Sequence, residues 1–298
     1  GSLQVLFDRG NELDWFGSTF IITLAVAVVV ALSFFVLWEL TDPHPIVDLT
    51  LFRGRNFTVG ALALSLGYMT LFSGAVMVSL WLQAQMGYTA TWAGMAVAPF
   101  GVMAIFLSPI IGHYLPRLNL RLLVSFAFVI FALTSVWQTT YNTDADFAYI
   151  AWPRFLQGIG VACFPVPMMI ILLSGLQRQQ VATAIGLANF MRMLGGSLGT
   201  SLSVTLWERQ ASWHQNRLTD NFTVFNPASS IALDRLQSLG VYPQQAMQLA
   251  SQAMSRQAVM LATNDVFLVF AGIFLGLLAL VWLAKPPFGD KATRRGER

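Results

Sequence analysis

Seven long apolar runs constrain this chain more than any other feature. They are Phe16–Trp38, Phe57–Gln83, Trp92–Leu115, Leu120–Tyr141, Phe147–Leu173, Thr183–Trp207 and Val266–Leu283. A bilayer core about 30 Å thick is crossed by about 17–25 apolar residues in helical form. Each run has that reach. None alternates with a period of two, and hydrocarbon admits only helices or closed barrels as ways to pair the backbone. The expected fold class is therefore an all-α integral membrane protein. Composition agrees: 56% of the 298 residues are hydrophobic and only 10% charged, against about a quarter charged in soluble domains.

The same composition excludes several functions. The net charge is only +3 and the basic residues are scattered, so nucleic acid is not an expected partner. Cys163 stands alone, which rules out a disulfide framework and a thiolate metal site. His44, His113 and His214 fall in three separate segments without metal-ligand spacing. There is no Walker lysine motif, so ATP-driven transport has no support. Nothing reads as an enzyme, a metal site or a cofactor site.

The opening GSLQVLFDRGNELDWF has no initiator Met, charged leader or small-residue cleavage site. It reads as the end of a cut apolar helix and an external loop over residues 1–15. The chain is thus expected to be the C-terminal part of something larger.

Orientation follows from Lys and Arg. One side collects Arg53, Arg55, Arg117, Arg121, Arg178 and the tail residues Lys285, Lys291, Arg294, Arg295 and Arg298. The other has Arg9 and, within one long loop, Arg209, Arg217, Arg235 and Arg256. Long loops translocate largely regardless of charge, so the C-terminus is expected in the cytoplasm. Trp15, Trp38, Trp81, Trp92, Trp152, Trp207 and Trp282 stand near span ends, as interfacial belts require.

The loop from Glu208 to Asp265 is the one sizeable piece outside the spans. SSIALDRLQSLG reads as a short helix, capped by Ser229 or Ser230 and stopped at Gly240. YPQQAMQLASQAMSRQAVML reads as a second, with Pro243 in its first turn. Two uses stand open: a helical hairpin lying on the outer mouth, or a docking surface through the strip of Met247, Leu249, Ala250, Met254 and Met260.

Charge inside the spans is the most informative chemistry. Every Asp and Glu falls outside the spans or at their ends; only Arg154 and Arg192 lie within. Ionisable groups at such depth are functional candidates. Arginine stays protonated and cannot carry a coupled proton. If the protein couples to protons, the carrier is expected outside this chain.

Arg192 lies about ten residues into its span, which is about 15 Å deep and beyond easy snorkelling. It either locks two helices by hydrogen bonds or meets an anionic substrate or a coupling carboxylate. Asn189, one turn earlier, shares its face. Gly195, Gly199 and Ser203 follow at intervals of four, a row that lets helices approach closely or slide. In Phe147–Leu173, Gly158, Gly160 and Ala162 thin one face, and Pro165 and Pro167 remove backbone donors and kink the inner half. Arg154 lies beneath Phe147, Tyr149 and Trp152, either snorkelling to the interface or functional.

Here the residues match a family. R-x-x-Q-G-x-G-x-A, from Arg154 through Gln157, Gly158 and Gly160 to Ala162, resembles a fourth-helix motif of the major facilitator superfamily, placed in its second half. The resemblance implies that this arginine takes part in proton transfer or in the polar core, as a cavity-side element with Gln157. GHYLPRLNLRLL resembles the cytoplasmic gating motif, keeping Gly112, Arg117 and Arg121 but with Pro116 in place of the usual Asp. Gly195–Thr200 resembles a worn antiporter motif, with Thr200 where Pro would stand.

Over nearly its whole length the chain is similar to the C-terminal part of Emr-type exporters, the fourteen-helix drug:proton antiporter branch. That resemblance implies a proton-coupled multidrug exporter of hydrophobic and amphipathic compounds, or a fatty-acid exporter of the same branch. It needs no cofactor beyond a proton gradient. Residues 16–38 become an extra linker helix, 57–283 the six-helix bundle with its loop 208–265 in the periplasm, and 284–298 a cytoplasmic tail. The implied site is a bacterial inner membrane; the implied partners are the N-terminal half, a periplasmic adaptor and an outer-membrane channel. The first and fourth helices of the bundle are implied to line the pathway, giving Tyr68, Met69, Phe72, Trp81, Phe164 and Met168 as lining candidates. An uptake carrier of the same fold and a non-transport membrane scaffold are the competing expectations.

Overall fold

The computed structural model describes residues 5, 6, 9, 17–41, 49–221, 238, 242–286 and 288. Apart from single residues, the segment before 17, the loop helix expected over 229–240 and the tail beyond 288 lie outside them. So do His44 and Trp15.

Among the described residues every regular element is helical. The order is α1 (Thr19–Thr41), α2 (Arg55–Gln85), α3 (Ala90–Val97), α4 (Pro99–Tyr114), α5 (Leu120–Gln138), α6 (Phe147–Cys163), α7 (Pro165–Leu173), α8 (Arg178–Asn221) and α9 (Pro243–Trp282). The boundaries have local causes. Gly87, at φ +68°, takes the left-handed conformation just past α2, and Gly175, at φ +86°, turns the chain from α7 towards α8. The Thr89 side chain caps α3 by accepting from the Trp92 amide, and Asn119 caps α5 by accepting from the Arg121 amide at 3.1 Å. Pro165 follows Phe164 at the break between α6 and α7, the kink expected from the paired prolines.

Among the described residues, five spans are long and apolar enough to cross a membrane: Arg55–Gln85, Ala90–Arg117, Leu120–Gln138, Phe147–Leu173 and Pro243–Trp282. Thr19–Phe34, within α1, is a shorter apolar stretch. The expected sixth bundle span, Thr183–Trp207, lies inside α8 but falls outside that group. Asn189, Arg192 and its small glycine, serine and threonine residues lower its hydropathy. Such a helix needs protein around it, and α8 packs along both α2 and α9.

The remaining contacts close the bundle: α9 lies on α5, α5 on α6, α6 on α4, and α2 on α7. Its interior is aromatic. Phe131 and Phe274 ring centroids are 5.0 Å apart, and Phe128 and Phe164 are 5.2 Å apart. This is a multi-pass membrane architecture.

The long loop differs from the expected hairpin. Residues 208–221 continue α8, and Pro243 opens one uninterrupted helix that becomes the last span. No glycine or proline intervenes between Pro243 and Gly272, so nothing breaks the helix at the membrane boundary. Trp207 donates its indole N–H to Thr263 Oγ1 at 2.9 Å, and His214 pairs with Asp265 at 2.7 Å, tying the two helices together there.

Candidate functional site

The buried residues of α6 are Ile150, Pro153, Arg154, Gln157, Gly158, Gly160, Ala162 and Cys163. From Ile150 to Gly158 they recur at three- and four-residue steps, which puts them on one helix face. Arg154 is only 1% exposed and Gln157 3%. The Arg154 Nη1 donates to Gln157 Oε1 at 2.9 Å, and Nη2 donates to the carbonyl oxygen of Gly74 in α2. The guanidinium lies close over Gly74, where a methyl would sit in ordinary contact 3.6 Å from Nη1. Arg154 is thus a brace between α2 and α6 inside the bundle. Arg154, with Gln157 beside it, faces the packed interior of this bundle. Its charge is met by a carbonyl and an amide oxygen, and Nε has no partner.

The glycines of the motif explain the close packing. A Cβ at Gly158 would come 2.6 Å from the Phe100 carbonyl oxygen in α4, and one at Gly160 would come 2.5 Å from the Phe131 ring in α5. Helix α6 therefore presses on two neighbours at once.

Arg192 has a different setting. It is half-buried on α8, with its guanidinium 4.9 Å from the centre of the Tyr68 ring in α2. That is within cation–π range. The helices meet closely here. A Cβ at Gly195 would lie 2.5 Å from the Ser65 carbonyl oxygen, and one at Gly196 would lie 2.7 Å from the Phe72 ring. Ser65 Oγ donates to the Met191 carbonyl at 2.9 Å. Gly199 backs onto Met69. Half-buried Asn189 stands three residues before Arg192 on the same side of the helix. Among the described residues no carboxylate forms an ion pair with Arg192.

Two open faces of the bundle differ in kind. Helix α4 has no buried residue, and it exposes Ile105, Phe106 and Ile110, which suit lipid. The α2–α8 face exposes Phe72, Phe190 and Met193 around a guanidinium. Hydrocarbon does not accommodate such a charge, so this face belongs against protein or a water-filled cavity.

The lining candidates divide accordingly. Tyr68 is half-buried beside Arg192, with half-exposed Phe72 against Gly196 and half-buried Met69 against Gly199 further along α8. Trp81, Phe164 and Met168 are fully buried. Trp81 stacks on Tyr141 with ring centres 5.6 Å apart, and Phe164 belongs to the aromatic interior. Gly112 and Arg117, from the stretch that resembles a gating motif, are exposed where α4 ends. Arg121 lies 5.2 Å from the Phe288 ring and 6.0 Å from the Trp282 ring, and no described carboxylate pairs with it. The loop holds a cation against aromatic rings and builds no charge relay among the described residues.

Gly74 and Tyr141 were not singled out from sequence. The run Ser73-Gly74-Ala75 within an apolar helix was the signal for the first: a gap wide enough for a large partner. Among the described residues no group of three or more His, Cys, Asp or Glu side chains is placed to hold a metal.

Comparison with known proteins accounts for the architecture. The multidrug export protein EmrB of Escherichia coli (strain K12) is 48% identical over 290 residues, which is 97% of this chain and 57% of that protein. The fatty acid resistance protein FarB of Neisseria gonorrhoeae is 42% identical over 288 residues, again 97% of this chain and 57% of the relative. The colistin resistance protein EmrB of Acinetobacter baumannii is 26% identical over 278 residues, 91% of this chain and 54% of the relative. The chain thus spans less than two thirds of these relatives, and they carry the names of export and resistance proteins, not of enzymes. The Major Facilitator Superfamily model matches residues 6–200, well over half of the chain, and with the helical bundle above this shows that the chain belongs to that superfamily.

Proposed function

We propose that this chain forms the C-terminal part of a proton-coupled exporter of hydrophobic and amphipathic compounds, working by alternating access in a bacterial inner membrane. The observation that carries the reading is the α2–α8 face. Arg192 lies over Tyr68 with Phe72 and Met69 beside it, on a surface that lipid cannot cover. Aromatic faces and a flexible thioether suit a pathway that accepts many shapes. The relatives named for multidrug export support the choice of substrate class.

In this reading residues 16–38 are an extra helix, 57–283 the second transport bundle and 284–298 a cytoplasmic tail. Residues 208–265 stand on the periplasmic side, where an adaptor leading to an outer-membrane channel docks. Arg192 and Asn189 face the pathway, and Arg154 and Gln157 stiffen the bundle that rocks. Gly112, Arg117 and Arg121 mark the cytoplasmic gate. The proton carrier lies on another part of the transporter, and no cofactor takes part. The similarity to FarB favours fatty acids as a second substrate reading.

Export assays in cells making the full-length protein test this. Arg192→Ala is expected to abolish drug export while the protein accumulates normally in the membrane. Wild-type export by that variant would overturn the reading in favour of a scaffold. Proton-driven accumulation of substrate towards the cytoplasm in vesicles would point to an uptake carrier.

A further inference from the structure

Among the described residues, four buried polar atoms around one tyrosine have no hydrogen-bond partner. They are Trp81 Nε1, Gln138 Nε2, Arg154 Nε and Asn264 Oδ1. Trp81, Gln138 and Arg154 are each no more than 1% exposed, so no other part of a transporter reaches them from outside. Tyr141 links them. Its ring stacks on Trp81, its hydroxyl donates to the Ile150 carbonyl one turn from Arg154 at 2.9 Å, and its carbonyl accepts from Asn264 Nδ2 at 3.5 Å. Its own amide donates to the Gln138 carbonyl at 3.3 Å.

Two of these atoms stand well apart along the bundle. Arg154 bonds at the level of Gly74, and Trp81 stands seven residues further along α2, about 10 Å away. That distance takes three or four hydrogen-bonded waters at about 2.8 Å each. The column also has an entrance. A cavity of about 610 Å³ lies at the α2 C-terminal end, lined in part by Gln85, Thr143 and Gln257. Gln85 is four residues past Trp81, and Gln257 is seven before Asn264, which puts each on the same helix face as the buried atom below it. Thr143 follows Tyr141 by two.

We infer that this cavity opens into a file of internal water that runs past Trp81, Gln138 and Asn264 and ends on the Arg154 Nε. Three donors and one acceptor suit water, which gives and takes hydrogen bonds, better than a single ion. The file hydrates a fully buried guanidinium from one end of the bundle, on a route separate from the Arg192 face. It rests on the packing of this bundle and not on the direction or substrate of transport.

Pulsed hydroxyl-radical labelling of the full-length protein, read by mass spectrometry and corrected for intrinsic reactivity, tests this. Trp81 and Tyr141 are expected to label although buried, whereas Phe128, Phe131 and Phe164 stay at background. Asn264→Leu should return the Trp81 label to background. If that variant does not fold, Gln257→Trp, at an exposed position on the cavity wall, blocks the same entrance. Background labelling of Trp81 in the wild-type protein, or labelling insensitive to both variants, would show a dry interior and overturn the inference. Saturable quenching of Trp81 fluorescence by bromide, lost in Trp81→Phe, would replace water with a bound anion and overturn it equally.

Discussion

The two arginines within the bundle occupy opposite environments. Arg154 is sealed between α2 and α6 and bonded to the Gly74 carbonyl and Gln157, whereas Arg192 stands half-open over Tyr68. Both lie in helices of the bundle, and among the described residues neither pairs with a carboxylate. The difference is in what surrounds the charge. Oxygen atoms of the bundle itself meet Arg154, so its work is finished within this chain. Arg192 is met only partly, by an aromatic face, and its other donors point to whatever fills the space beyond α2 and α8. In the proposed function, the charge satisfied internally stabilises and the charge left half-open recognises substrate.

The largest expected effect breaks the first half of that contrast. Arg154→Ala empties a large buried volume and removes the α2–α6 brace, which lowers stability by about 2–5 kcal/mol, as for other large-to-small core changes. Thermal unfolding of the purified full-length protein in detergent reads this. Arg154→Met, which refills the space without charge, should recover most of the loss. A wild-type melting temperature for Arg154→Ala would remove the brace from the account.

Next come the glycines beside each arginine. Gly160→Ala forces a methyl into the Phe131 ring and Gly195→Ala forces one onto the Ser65 carbonyl; each should cost about 1–3 kcal/mol through overpacking. Gly74→Ala meets only ordinary van der Waals neighbours, the nearest at 3.6 Å, and should stay within about 0.5 kcal/mol. Equal losses at all three positions would mean that close packing does not distinguish these sites.

The Tyr68 ring sharpens the second half. Tyr68→Phe keeps an aromatic face under Arg192 and should export at close to the wild-type rate. Tyr68→Leu removes a contact of about 0.5–1 kcal/mol and should weaken export several-fold. Equal export by the two variants would separate Arg192 from the ring. The smallest effect belongs outside the contrast. Asp265→Asn breaks the partly exposed pair with His214, and it should change stability by less than about 1 kcal/mol. A larger loss would show that the joint between α8 and α9 matters more than its exposure implies.

The contrast was only partly legible in the sequence. Length and hydropathy located the helices closely. The face that Arg154 presents did not follow. Helix α6 is apolar on every side, so its pattern does not single out the buried face from Ile150 to Gly158 or say whether it meets core, lipid or cavity. The Gly74 carbonyl is a backbone group, and no pattern of side chains announces it as a partner. Trp81 read as an interfacial or lining residue because indoles favour those places; its stack on Tyr141 depends on a loop conformation that no spacing encodes. The continuity of α9 was legible in hindsight, since helix breakers are absent from Pro243 to Gly272, but the polar pair Asn264-Asp265 read as a boundary.

The most direct test measures export and thermal stability together for Arg192→Ala and Arg154→Met in the full-length protein. The account expects Arg192→Ala to melt like the wild type and to export nothing. It expects Arg154→Met to melt lower and to keep its export rate per folded molecule. An Arg154→Met protein that melts like the wild type but fails to export, beside an Arg192→Ala protein that exports normally, would contradict the assignment of the two charges.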